Sequence, residues 1–117
     1  MIRIISLLAG TLALGACQHH SPAQPAVLAD ASAETLDAVK GNLAQAMNRG
    51  QIEIGAGDPT TIPSISVLPP PPSTFETQSP AMPTIFKLYV RDGLCFAIAE
   101  GTVEEVPLPG VACRPLG

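Results

Sequence analysis

Apolar and polar residues alternate most regularly near the end of the chain. Over 84–91, Phe86, Leu88 and Val90 fall on one side, and over 94–100, Cys95, Ala97 and Ala99 do the same. A period of two predicts strands. Asp92-Gly93 between them predicts a two-residue hairpin with a type I′ turn. That turn sets the register: Val90 opposite Cys95, Leu88 opposite Ala97, Phe86 opposite Ala99. All six lie on one apolar face, which is expected to pack on a helix. Lys87, Tyr89, Arg91, Phe96 and Ile98 form the other, mixed face. Glu100-Gly101 turns the chain toward 102–106 as a third strand, ended by Pro107 and Pro109.

A helical period appears over 30–49, where Leu36, Val39, Leu43 and Ala46/Met47 make one stripe. Asp30 and Ser32 are N-cap candidates, and Glu34 suits the first turn. Asn48-Arg49-Gly50 predicts a stop, with Gly50 in the left-handed conformation. Gly41 inside the helix costs about 1 kcal/mol relative to Ala and marks a close contact or a weak point. Residues 51–54 and 62–68 read as short strands, the second with Ile65 and Val67 on one face and Pro63 at an edge or end. The glycines of 55–59 are read as a turn, since a phosphate loop would need a following Lys-Ser/Thr and would not carry Asp58. Residues 69–72 are polyproline, read as a spacer rather than a ligand for an aromatic groove. Residues 73–83 are a loop, with Phe75 and Met82 expected to fold back onto the core. The fold class expected is α+β: one amphipathic helix packed on a small antiparallel sheet, within 30–117, with a Pro-rich loop at 69–83.

The first residues have a different pattern. Arg3 precedes an apolar run from Ile4 to Leu14 that is shorter than the roughly 20 residues needed to cross a bilayer. That is the pattern of a signal peptide over 1–16. Leu14-Gly15-Ala16-Cys17 follows. These four residues resemble the lipobox of bacterial lipoproteins, and the resemblance covers only about the first seventeen residues. It implies cleavage between Ala16 and Cys17 and lipidation of Cys17. Several acyl chains then anchor the protein to the membrane, where one alone would be marginal. Gln18 stands where the inner-membrane retention signal has Asp, so the expected location is the periplasmic face of the outer membrane, the inner membrane being the alternative. Residues 17–29 are read as the lipidated cysteine and a flexible tether, because Pro, Gln, Ser and Ala dominate without periodicity. His19 and His20 in it read as a solvated pair rather than a metal site. With Cys17 lipidated, Cys95 and Cys113 remain, and an exported domain is expected to join them in a structural disulfide.

Composition then narrows the function. All thirteen prolines follow Cys17, leaving room for one small domain. Removing residues 1–16 leaves five Lys/Arg against ten Asp/Glu. That balance argues against nucleic acid as a partner, which would require a basic stripe. No histidine follows His20, so the domain has no imidazole base for Ser or Cys chemistry. Glu100, Glu104 and Glu105 read as a solvated edge. No cofactor and no catalytic residue is expected. The expected role is a lipid-anchored, non-enzymatic envelope protein that binds another envelope component. The alternative is a binding or inhibitor module for a periplasmic ligand or enzyme, using the mixed face of the hairpin.

Overall fold

Period-two patterning and the Asp-Gly turn set up the centre of the molecule. A computed structural model of the chain describes residues 22–71 and 81–117. It contains strands β1 (Gln24–Leu28), β2 (Ser64–Val67), β3 (Thr84–Arg91), β4 (Leu94–Ala99), β5 (Glu105–Pro107) and β6 (Cys113–Pro115), and one helix, α1 (Ala33–Ala46). β3 and β4 form the hairpin in the expected register, with Phe86 opposite Ala99, Leu88 opposite Ala97 and Val90 opposite Cys95. Asp92 (φ 53°) and Gly93 (φ 77°) both take the left-handed region that a type I′ turn demands. β5 continues the meander antiparallel to β4 and includes Pro107, which faces Phe96.

The other edge of β3 is shared. β2 occupies it along 84–87 and β1 along 89–90, both antiparallel. Between them the Leu88 N–H donates to the Pro63 carbonyl at 3.0 Å. β1 then pairs with β6 through Ala26, Val27 and Leu28. Among the described residues the result is a six-stranded antiparallel sheet with one helix, an α+β fold. The inward face of β3 and β4 joins Val39, Leu43 and Ala44 of the helix with Leu28, Ile52, Ile65, Val67 and Leu108 in one core. On β2 it is Ile65 and Val67, as their shared face predicts, that are buried.

Within 17–29, where a tether is expected, residues 24–28 instead form β1. Ala26, Val27 and Leu28 are 0%, 1% and 0% exposed. Three successive buried residues mean that this strand is covered on both faces. Pro25 fits because its carbonyl still accepts from the Leu116 N–H at 2.9 Å, while the donor it lacks belongs to the strand's opening residues. Cys17 and residues 18–21 lie outside the described residues, as do residues 1–16 and Phe75. Met82, expected to fold back onto the core, is 83% exposed. Residues 51–54 make only one bridge, Ile54 to Val67, rather than a strand. The polyproline run, described as far as Pro71, passes beside Arg49 and Ile52, with the Arg49 guanidinium donating to the Leu68 carbonyl at 3.0 Å.

The helix starts where its cap predicts. The Ser32 hydroxyl accepts from the Thr35 N–H at 3.2 Å. Asp30 accepts from the Thr35 hydroxyl at 2.7 Å and the Ser32 N–H at 2.9 Å, and these bonds hold its carboxyl below the usual range. At the other end, Asn48 (φ 54°) rather than Gly50 takes the left-handed position. The Arg49 N–H donates to Ala44 and the Asn48 N–H to Gln45, which satisfies two end carbonyls. The helix therefore ends two residues earlier than the glycine implied. Ala44 joins the core, whereas Ala46 is exposed.

Gly41 makes no close contact: a Cβ built there meets nothing within 4 Å. Gly41→Ala is therefore expected to stabilise the domain, by up to about 1 kcal/mol, through helix propensity alone. Urea unfolding of the two proteins checks this. A loss of stability would reveal a backbone requirement at that position.

Candidate functional site

The outward side chains of the hairpin are the candidate site. Tyr89 and Phe96 are direct cross-strand neighbours, and their rings stack at 5.7 Å between centroids and 21° between planes. The Arg91 guanidinium lies over the Phe96 ring, 4.9 Å from its centroid. The same guanidinium grips Glu105 of β5 in a two-pronged pair, at 2.9 Å and 3.1 Å. Phe96 is thereby 6% exposed although it points away from the core. The half of the mixed face nearest β5 covers itself, and Arg91 is already engaged. Lys87 and Glu100 stand 4.0 Å apart with more than half of each side chain exposed, a pair that contributes little.

Protonation acts on this arrangement in one direction. The bonds from Arg91 hold the Glu105 carboxyl below the usual carboxylate range, and Glu105 holds the guanidinium above its own. Since Glu105 titrates lower in the folded chain than in the unfolded one, its contribution is present above about pH 4.3 and is lost as the pH falls through the folded value. Glu105→Gln is expected to flatten the acid limb of a stability-versus-pH curve below about pH 5, leaving the neutral region nearly unchanged apart from an offset. Parallel acid limbs would mean that the ion pair does not persist in solution.

The open half of the face is a cleft of about 390 Å³. It forms where β1 and β2 abut on the same edge of β3. Pro25, Pro63, Ile85 and Leu116 supply apolar walls, and Lys87, Tyr89, Ser64 and Glu100 supply the polar groups. Such a cleft suits an extended apolar group with a polar end. The sequence singled out Lys87 and Tyr89, but it missed Pro25, Pro63 and Leu116. These reach the site only through strand pairings between distant parts of the chain. The alternating Ile62-to-Leu68 run was the one available signal for Pro63.

Cys95 and Cys113 are joined in a disulfide with their Cα atoms 5.5 Å apart. It ties β4 to β6 on the inward side and has no redox partner motif around it. Ala16, Cys17, His19 and His20 lie outside the described residues. Among the described residues, no group of three or more His, Cys, Asp or Glu converges in the manner of a metal site, and no helix is long and apolar enough to cross a membrane. No protein-family model matches the chain, and neither a curated protein nor a solved structure is significantly similar to it.

Proposed function

We propose that this chain is a bacterial lipoprotein, anchored through Cys17 at the periplasmic face of the outer membrane, with a non-catalytic binding or structural role among envelope components. The observation that carries it is Leu14-Gly15-Ala16-Cys17 at the end of a short apolar run headed by Arg3. A small domain stapled by one disulfide supports it, since such a bridge persists in an oxidising compartment. The Tyr89 cleft supports a second reading, a module that takes a small ligand or a segment of a periplasmic enzyme.

Labelling with a radioactive fatty acid, with and without an inhibitor of lipoprotein signal peptidase, tests the anchor. The native chain is expected to take up label and to accumulate as the uncleaved form under inhibitor, whereas Cys17→Ala takes up none. Label retained by Cys17→Ala would remove the reading. Recovery of a specific envelope protein with the native chain, lost with Tyr89→Ala, would give the cleft a protein partner.

A further inference from the structure

We infer that the β3–β4 hairpin tip faces the bilayer and seats Leu94 at the lipid interface, an inference that rests on the anchor at Cys17. The described residues begin at this tip. Gln24 pairs with Val90, two residues before the turn, and Pro22 borders the same cleft as Asp92, Gly93 and Pro115. Pro22 is five residues on from Cys17. Fully extended, those five residues span at most about 18 Å. β3 alone, with eight residues, is longer, about 25 Å. An anchor on Cys17 is therefore too short to let the domain stand on its opposite end.

The two ends of the sheet are thus inequivalent. At the near end, Leu94 is 72% exposed, directly after the turn. At the far end, Met82 and Val103 are 83% and 93% exposed, beside the start of β3 and in the turn from β4 to β5. A leucine left bare next to the point of attachment gains a partner without rearrangement of the fold, because the acyl chains bring lipid to it. Asp92, two residues away, is exposed and charged and belongs in the headgroup layer, so it limits the depth to which Leu94 enters. The far end is then presented to the periplasm, and its apolar residues stay in water.

The chain has no tryptophan, so a single introduced one reports on its own position. Leu94→Trp and Val103→Trp would be expressed from the complete sequence in bacteria that process lipoproteins and purified from the membrane fraction in detergent. Each would be reconstituted in phosphatidylethanolamine–phosphatidylglycerol vesicles with a fraction of brominated lipid. Both positions are exposed, and an intact disulfide by mass verifies the fold of each variant. Trp at 94 is expected to shift its emission to the blue and to lose at least half its intensity to the brominated lipid. Trp at 103 is expected to do neither. Equal quenching at both positions, quenching at 103 alone, or none at either would overturn the orientation. The mass of the N-terminal peptide is read on the same samples. Acyl groups on Cys17 with an unquenched Trp at 94 would sink the orientation and leave the anchor standing, whereas a peptide without acyl groups would overturn both.

Discussion

Leu28→Ala is expected to destabilise the domain by about 2–5 kcal/mol, enough to populate the unfolded state in a protein of this size. Leu28 is 0% exposed and touches the core shared by the helix and the sheet. Its backbone is committed as well: its N–H donates to the Pro59 carbonyl at 2.8 Å, and it stands opposite Cys113 in the pairing of β1 with β6. Truncation removes three carbons from a site whose neighbours are fixed by strand pairing on one side and a disulfide on the other. The cavity has little means of collapse, which favours the upper part of that range. A residue in a solvated tether would give a change within about 0.5 kcal/mol. Urea unfolding therefore decides between a strand and a linker over 24–28, and a value inside the linker range would show that β1 does not contribute to the fold.

The second large effect concerns the bridge. Replacing both Cys95 and Cys113 by Ala is expected to cost roughly 3 kcal/mol, the magnitude of the chain-entropy model for a loop of this size, here a separation of 18 residues. The loss has a location. β6 has three residues and one strand partner, β1, so without the bridge its end of the sheet is held by few bonds. Amide exchange at Ala29, which donates to Ala112, and at Leu116, which donates to Pro25, is expected to quicken more than exchange at Leu88 in the sheet centre. Uniform loss of protection would mean that the bridge stabilises the whole domain by constraining the unfolded chain alone. A variant as stable as the native protein would remove the structural role of the disulfide.

What could be read from the sequence follows the range of the interactions. The hairpin, its register and its apolar face were legible because Asp92-Gly93 and the alternation around it are local. The helix was legible from Ser32 to Met47, although Asn48 supplied the left-handed stop expected of Gly50, since Asn also tolerates that conformation. β1 and β6 were not legible. Gln24 to Leu28 has three apolar residues in a row among prolines and glutamines, and Cys113 to Pro115 has no apolar alternation at all. Each becomes a strand because the other is there and because β3 offers an unfilled edge. Half of the candidate site suffered the same way. Tyr89 and Lys87 follow from the outward face of the hairpin, but the walls formed by Pro25, Pro63 and Leu116 depend on those distant pairings. Nor did the alternation show that Arg91 and Glu105 would close over Phe96, because that contact depends on where the meander places β5.

The place of β1 at the start of the described residues has a mechanical side. Any pull applied at Pro22 runs along a strand that is bonded first to β3 and then to β6. β6 cannot slide out with it, because the disulfide holds Cys113 to β4. With the far end of the sheet held, the load is carried by the β1 pairings in shear, several hydrogen bonds at once, rather than one after another. The fold thus resists a pull on the chain at Pro22, and reduction of a single sulfur–sulfur bond would turn that resistance into a much weaker one.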